Sequence, residues 1–162
     1  MKCILLIILI SISMVSIPAS AEKIQWYNYE EGILAGSMMK KPVFLDFYAD
    51  WCGPCVAMEE NTYPDARVVL ELGDFIPIKV DTQKRIDIET KYGINYYPTV
   101  VFLDPKGKEI TRHIGYLGPE EMVEVIKDSR QKVPVEAKAQ GFGAFAPLVA
   151  LVFFSLLKKF NG

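Results

Sequence analysis

Apolar positions along the middle of the chain follow two different periods. Short apolar runs at residues 43–49, 75–80, 99–103 and 109–114 are bounded by Gly, Pro and Asp, and this pattern predicts β-strands. Segments between them carry helix signals, and helices are predicted over residues 28–40, 53–61, 65–72, 84–92 and 119–131. Helices that alternate with strands, followed by a hairpin and a last helix, indicate an α/β domain with a mixed sheet.

The N-terminal end has a different pattern. Residues 1–21 contain one basic residue, Lys2, then an apolar run over residues 4–17, then the small residues Ala19 and Ala21. This arrangement is typical of a secretory signal peptide cut after Ala21, and an uncleaved N-terminal anchor is the alternative. Either interpretation predicts that the domain is exported.

The C-terminal end, residues 141–162, is apolar again. Its 17 residues up to position 157 carry no charge, and at ~1.5 Å per residue they span roughly 26 Å, slightly less than a bilayer core of ~30 Å. Lys158 and Lys159 follow, which fits the cytoplasmic side of a membrane anchor. The segment therefore predicts attachment to the membrane, with the domain on the extracytoplasmic face.

A second interpretation of this C-terminal segment comes from a resemblance. The run Gly141-Phe142-Gly143, the apolar stretch and the basic tail resemble archaeal C-terminal sorting signals of the Pro-Gly-Phe type, although Gln140 stands where that family has proline. Such tails are removed and replaced by a lipid anchor. The resemblance therefore implies the same location, with the domain on the outer face of the membrane.

The region between the two ends divides into a domain at residues 22–131 and a linker at residues 132–140, which contains Pro134. It holds 20 acidic and 15 basic residues, so its net charge is about −5. No basic patch with interleaved aromatic residues is visible, and nucleic acid is therefore not an expected partner. We expect the domain to be a monomer.

The cysteines indicate the chemistry. Cys52 and Cys55 lie three positions apart where a strand gives way to a helix, so one thiol can attack a foreign disulfide while the other resolves the mixed intermediate. Zinc is the usual rival for such a pair, but a structural zinc site needs four ligands and only His113 remains. Cys3 precedes the apolar run and does not fit a lipoprotein cleavage site. The expectation is a redox-active disulfide with no metal or other cofactor.

Several motifs resemble the thioredoxin family in their order and spacing over roughly residues 24–130. The resemblance implies a thioredoxin fold, a central mixed sheet with helices on both faces. Trp26 and the residues after the cysteine pair are similar to the exported C-terminal domain of transmembrane thiol:disulfide interchange proteins. One position departs from the pattern, since Pro77 stands where cytosolic thioredoxins often have a lysine near a buried aspartate. The matching motifs are Phe44-Leu45-Asp46-Phe47-Tyr48-Ala49-Asp50-Trp51-Cys52-Gly53-Pro54-Cys55, Lys79-Val80-Asp81, Tyr92-Gly93-Ile94, Tyr97-Pro98-Thr99 and Gly115.

Placement on the predicted elements assigns roles to the two thiols. Cys52 comes at the start of a helix, where free N–H groups and the helix dipole favour a thiolate, so it is the predicted nucleophile. Cys55, one turn inside, is the predicted resolving thiol and is expected to be the more buried. Gly53 and Pro54 lead into the helix without a bulky side chain that would block an incoming disulfide.

The remaining site residues depend on the resemblance as well. Asp46 lies on a strand expected to be buried, where its pKa should be raised, and the family position implies proton exchange with Cys55. Pro98 matches a cis-proline that offers backbone hydrogen bonds to the substrate. Trp51, Tyr97 and Gly115 are expected to line the docking surface.

The sequence thus predicts an extracytoplasmic, membrane-tethered thiol:disulfide oxidoreductase acting as a protein-disulfide reductase. The Gly-Pro pair between the cysteines occurs in thioredoxins, and this resemblance implies a fairly reducing pair. Protein disulfides are the expected substrates, and a membrane electron carrier is the expected partner that re-reduces the cysteines. The alternatives are a disulfide oxidase or isomerase, and a non-catalytic thioredoxin-like module that only binds protein chains.

Overall fold

A mixed sheet of four strands in the order β2-β1-β3-β4 forms the centre of the computed structural model, which describes residues 23–134. The strands are β1 Val43–Tyr48, β2 Ile76–Asp81, β3 Thr99–Leu103 and β4 Glu109–Ile114. The helices are α1 Tyr29–Met39, α2 Gly53–Ala57, α3 Ala66–Leu72, α4 Ile86–Tyr92 and α5 Pro119–Gln131, and a π-helical turn, Met58–Thr62, continues α2.

Strand β1 lies inside the sheet, parallel to β2 and antiparallel to β3. Because side chains alternate along a strand, Val43, Leu45 and Phe47 face one apolar layer, which includes residues of α1 and α4. Phe44 faces the other layer, which includes residues of α3 and α5. Helices therefore cover both faces, as the resemblance implied, and the polar Asp46 shares the face of Phe44 inside the second layer.

Capping residues, glycines and a proline mark the ends of several helices and a turn. The Asn28 side chain caps α1 by accepting a hydrogen bond from Glu31 N (2.9 Å). Gly93 ends α4 with a φ of 61°, and Gly107 takes a φ of 80° in the turn between β3 and β4. Both values lie in the left-handed region, where glycine pays no steric penalty. Pro119 occupies the first turn of α5, where its missing N–H is not needed.

Two local features differ from the sequence prediction. Residues before α1 form an extended segment in which Tyr27 bridges Ile78, so the edge of β2 is partly covered. The helix predicted over residues 53–61 changes to a π-helical turn after Ala57, with Tyr63 N donating to Met58 O (3.0 Å). Such turns rotate the following side chains relative to an α-helix, and they occur frequently at functional sites.

The folded domain reaches slightly into the predicted linker, because Val133 is buried. The predicted signal peptide, the C-terminal apolar segment and the linker from residue 135 onward lie outside the described residues. Among residues 23–134, none of the helices has the length and apolar character needed to cross a bilayer.

Candidate active site

The two predicted cysteines form a disulfide at the carboxyl end of β1. Cys52 caps the N-terminus of α2, and Cys55 lies one turn later, with their Cα atoms 5.2 Å apart. Cys55 N donates a hydrogen bond to Cys52 Sγ (3.2 Å), and Val56 N donates to Cys52 O (3.1 Å). One N–H group at the start of the helix, that of Cys55, therefore points at the sulfur that would carry the negative charge of a thiolate.

Burial of the two cysteines differs from the sequence expectation. Cys52 is 4% exposed and Cys55 is 8% exposed, so Cys55 is not the more buried of the two in this oxidised form. Tyr48 and Tyr97 pack against the cluster that Ala49 forms with both cysteines. Cys55 also lines a cavity beside β1, which accounts for its remaining exposure.

Asp46 lies on the inner face of β1 and is 3% exposed. Burial raises the pKa of its carboxyl group from 3.8 to about 6, partly opposed by the positive charge of Lys79 and by the hydroxyl of Tyr63, while the charge of Glu59 raises it. Tyr63 lies beside the carboxyl group without full hydrogen-bond geometry, since Asp46 Oδ1 and Tyr63 Oη are both buried without a partner among the described residues. The carboxyl group therefore changes charge near neutral pH.

A lysine stands opposite this carboxyl group. Lys79 is the register partner of Asp46 on β2, and its ammonium group forms an ion pair with the carboxylate of Glu59. Three aromatic rings surround the ammonium group, with the Nζ atom 4.9–5.4 Å from their centroids, a distance at which cation–π attraction operates; they belong to Trp26, Tyr48 and Tyr63. A lysine two residues after Pro77 therefore lies opposite the buried aspartate, and its positive charge lowers the pKa of the Asp46 carboxyl group.

Asp46, Cys55, Glu59 and Lys79 line one cavity of about 320 Å³ next to the disulfide. Asp50 and Glu60 also line it. The cavity gives water and protons a route between the surface, the carboxyl group of Asp46 and Cys55. The arrangement can accept or supply a proton beside a thiol, which dithiol chemistry requires.

An apolar surface borders the disulfide on its other side. Trp51 is 70% exposed, and its ring meets that of Tyr97 edge-on with 5.7 Å between centroids. The Tyr97–Pro98 peptide bond is cis, and Gly115 N donates to Pro98 O (2.8 Å). The structure therefore brings together the residues that the sequence assigned to substrate docking: Trp51, Gly53, Pro54, Tyr97, Pro98 and Gly115.

Gly53 and Pro54 are exposed in the first turn of α2. A Cβ atom added at Gly53 would meet no heavy atom within 4 Å, so the space in front of this turn is open. An incoming chain can thus approach the disulfide at this point.

Sequence reasoning missed Glu59, Tyr63 and Lys79 as members of the site. Lys79 carried a usable signal, because it is a charged residue within an otherwise apolar strand. Strand β2 pairs with β1, so a charged side chain on β2 can lie beside the charged Asp46 on β1. Glu59 lies four positions after Cys55, a spacing that brings side chains together on a helix. Tyr63 carried none, since its position depends on the π-helical turn.

No group of three or more His, Cys, Asp or Glu side chains within the described part of the chain is arranged to hold a metal ion. The sulfur atoms of Cys52 and Cys55 are bonded to each other in the disulfide described above.

Comparison with known proteins agrees with the fold and the site. A family model described as a thioredoxin-like domain matches residues 35–130. The thiol:disulfide interchange protein DsbD of Pseudoalteromonas atlantica is 34% identical over 88 residues, which cover 52% of this chain and 15% of that protein. Thioredoxin Y2 from the chloroplast of Arabidopsis thaliana is 40% identical over 114 residues, which cover 68% of this chain and 64% of that protein. The chain thus spans less than two thirds of the length of either relative.

Among solved structures, a thioredoxin from Thermus thermophilus superposes with a TM-score of 0.65 at 21% identity, covering 75% of this chain and 98% of that one. This likeness supports the fold.

The fold, the family model and the Cys52–Cys55 disulfide together define a domain of the thioredoxin type with a disulfide between closely spaced cysteines. The chain belongs to the thioredoxin-like domain family.

Proposed function

We propose that this protein is a membrane-tethered, extracytoplasmic protein-disulfide reductase that works as a monomer through Cys52 and Cys55. The observation that carries the proposal is the position of the disulfide. Cys52 Sγ accepts a backbone N–H at the start of α2, while Cys55 shares a cavity with the buried carboxyl group of Asp46.

In the proposed reaction, the Cys52 thiolate attacks one sulfur of a substrate disulfide. The substrate S–S bond breaks, a mixed disulfide forms, and the first substrate sulfur leaves as a thiolate that takes a proton from water. Cys55 then loses its proton and attacks Cys52 Sγ, which releases the second substrate sulfur. The substrate gains two electrons and two protons, and the Cys52–Cys55 disulfide remains on the protein.

Asp46 is the proposed proton acceptor for Cys55. Its carboxyl group lies beside the same cavity, and its pKa of about 6 leaves it mostly ionised at neutral pH and able to exchange protons there. Lys79 keeps the carboxylate form accessible despite burial, because its charge lowers the pKa that burial raises.

Substrate chains are proposed to bind across the exposed ring of Trp51 and the neighbouring Tyr97. The backbone of Tyr97 lies at the same surface, and an extended substrate chain is proposed to pair with its main-chain groups. The apolar rings can contact side chains on both sides of the substrate cysteine.

The reducing direction is supported by the Gly53-Pro54 pair, which is similar to that of thioredoxins. The relative DsbD of Pseudoalteromonas atlantica is a thiol:disulfide interchange protein, and this supports thiol–disulfide exchange as the chemistry. A reductase outside the cytoplasm consumes electrons with each turnover, so the proposal includes a membrane electron donor that reduces the Cys52–Cys55 disulfide. The apolar segments at residues 4–17 and 148–157 support export and tethering.

The reduction potential of the full chain tests the direction of electron flow. We expect a value near the ~−270 mV of thioredoxin when the protein is equilibrated in dithiothreitol and glutathione buffers and its thiols are trapped by alkylation. A value near the ~−120 mV of a strong oxidant would contradict the reductase and indicate a disulfide-forming catalyst instead. Cys3→Ser serves as the control that restricts the measured couple to the two site cysteines.

Labelling of intact cells tests the location. After treatment with a membrane-impermeant phosphine, a membrane-impermeant maleimide is expected to modify Cys52 to the same extent in intact and in lysed cells. The Cys3→Ser chain is used so that only the site cysteines react. Modification that requires lysis would place the domain on the cytoplasmic side and reject the proposed location.

A further inference from the structure

A groove of about 510 Å³ lies at the end of the sheet opposite the disulfide. It is bounded by residues 23–27, by the end of α1, by α3 and by the start of β2. Most of its lining is apolar and includes Met39, Leu70, Phe75 and Ile76. The rim of the groove includes Lys23, Met39, Lys41 and Leu70. We call this groove, its rim and the adjoining residues Met38 and Lys40 the basal face.

Apolar side chains of the basal face project into solvent. Leu70 is 76% exposed, Met38 is 74% exposed and Met39 is 57% exposed. Exposed apolar side chains that cluster at one groove, with a charged rim, are a mark of interaction with a protein or a membrane.

The charges of the basal face are positive. Lys23 and Lys40 are exposed, and neither they nor Lys41 pair with a carboxylate among residues 23–134. Lys41 Nζ donates to the backbone oxygen of Gly73 (3.1 Å).

Among residues 23–134, the two acidic residues that follow Leu70 in the chain, Glu71 and Asp74, are paired with basic side chains. Arg130 binds both Glu71 (2.6 Å) and Asp74 (3.2 Å), and Lys127 lies 3.6 Å from Glu71. The basal face is thus locally positive, although the domain as a whole is acidic.

Both ends of the described domain lie near this face. Lys23, the first described residue, lines the groove. The end of α5 is held against residues 71–74 by Arg130, and residue 135 follows shortly after. Only residues 135–140 separate the described domain from the C-terminal segment, and six residues reach at most about 21 Å. A tether this short keeps its own end of the domain near the membrane.

The disulfide lies at the other end. Strand β1 runs from Val43, beside the basal face, to Tyr48, beside the cysteines. At ~3.3 Å per residue this strand alone separates the two ends by about 17 Å. Acidic residues, among them Asp50 and Glu60, lie at the disulfide end, where an anionic surface would repel them.

We propose that the basal face rests on the headgroups of an anionic lipid bilayer. Met38, Met39 and Leu70 insert among the headgroups while Lys23, Lys40 and Lys41 bind phosphate groups. This docking rests on the proposed membrane tethering, and it adds an orientation to it. The disulfide and Trp51 then point away from the bilayer, where substrate chains have access.

Photocrosslinking from the lipid tests this orientation. The full chain is reconstituted into vesicles of neutral phospholipid with 30 mol% phosphatidylglycerol and a trace of phospholipid that carries a diazirine near the headgroup, and crosslinked peptides are identified by mass spectrometry. We expect at least about fivefold more crosslinking on residues 38–41 and 66–73 than on residues 50–56. The excess crosslinking of the basal face is expected to disappear in the Leu70→Glu variant. In 0.5 M salt, crosslinking of the basal face is expected to fall by about fivefold.

Ile86→Glu is the matched control, because Ile86 is 64% exposed at the start of α4, outside the basal face. It should leave the crosslinking pattern unchanged. Equal crosslinking over the whole domain, or an excess near Trp51, would overturn the docking. Lipid crosslinking of the basal face that falls as the protein-to-lipid ratio rises would also overturn it and indicate a second copy as the occupant.

Flotation of the same vesicles separates the two proposals. A chain that fails to float with the vesicles contradicts the tethering itself. A chain that floats but shows no preference for the basal face contradicts the docking alone.

Discussion

Replacing Cys52 with serine is expected to lower the rate of substrate-disulfide reduction by about a thousandfold or more, to the background of the assay. A hydroxyl group is far less acidic than a thiol and cannot form the mixed disulfide, so the first step of the proposed reaction is lost. The measurement is the dithiothreitol-dependent reduction of a protein disulfide by the purified full chain. Cys3→Ser, a change outside the described domain, should retain the full rate.

Cys55→Ser is expected to stop the reaction one step later. The mixed disulfide between Cys52 and the substrate can form but cannot be resolved from within the protein, so it should accumulate as a covalent complex on a non-reducing gel. If Cys52→Ser keeps the activity of the unmodified chain, the protein is a binding module and the proposed chemistry is wrong. If Cys55→Ser traps no complex, Cys55 is not the resolving thiol.

Replacing Asp46 with asparagine is expected to stabilise the oxidised protein at pH 7 by up to about 3 kcal/mol. The folded carboxyl group has a pKa of about 6 against 3.8 for an ordinary aspartate, a difference of about two units, and each unit corresponds to 1.36 kcal/mol. Asparagine carries no charge to bury, so this cost is removed, although its amide hydrogens gain only part of their hydrogen bonds.

The sign of the pH dependence follows from the raised pKa. The folded state binds the proton of Asp46 more tightly than the unfolded state, so its contribution to stability is complete below pH 3.8 and is lost as the pH rises through about 6. The advantage of Asp46→Asn should therefore be small at pH 4 and reach its full size above pH 6. Urea unfolding of the oxidised full chain at pH 4 and pH 8 measures it.

Asp104→Asn is a matched control for this effect. Asp104 is also buried, at 7% exposed, but its carboxylate accepts hydrogen bonds from Lys106 N (2.8 Å) and Lys108 N (2.9 Å). Removing that charge should weaken these bonds and give no stabilisation. An advantage of Asp46→Asn that is equal at pH 4 and pH 8 would show that the buried charge is not its cause.

Asp46→Asn also tests the role of the carboxyl group as a proton acceptor. Resolution of the mixed disulfide is expected to slow by about a hundredfold, because Cys55 must then lose its proton directly to water. Stopped-flow fluorescence of the resolving step in single turnover measures this rate. A variant that is more stable and equally fast would separate the burial of Asp46 from the chemistry.

Much of the fold could be predicted from local signals. Asn28, Gly93, Gly107 and Pro119 mark the ends of elements, and each acts through its own backbone geometry. The π-helical turn at Met58–Thr62 could not be predicted, because buried Thr62 donates from Oγ1 to the distant Leu117 O (2.7 Å). The extended segment at Tyr27 likewise depends on pairing with β2, which is remote in the sequence.

The site divides in the same way. Cys52, Cys55, Asp46 and Pro98 were assigned from motifs, and the structure places the two cysteines in one disulfide with Asp46 beside their cavity. The expected greater burial of Cys55 was wrong, because this residue opens toward that cavity. Lys79 was assigned to a family motif only, and its position opposite Asp46 was not anticipated.

By itself, the sequence determined the order of helices and strands and the pair of thiols at the start of a helix. These depend on residues close together in the chain, where side-chain period, capping and spacing act directly. Only the tertiary structure decided the environment of the carboxyl group of Asp46. Its pKa results from burial, from a lysine on a parallel strand, from the glutamate of a π-helical turn and from the tyrosine that follows this turn. Such electrostatic effects act over a few ångströms of space between residues that are far apart along the chain.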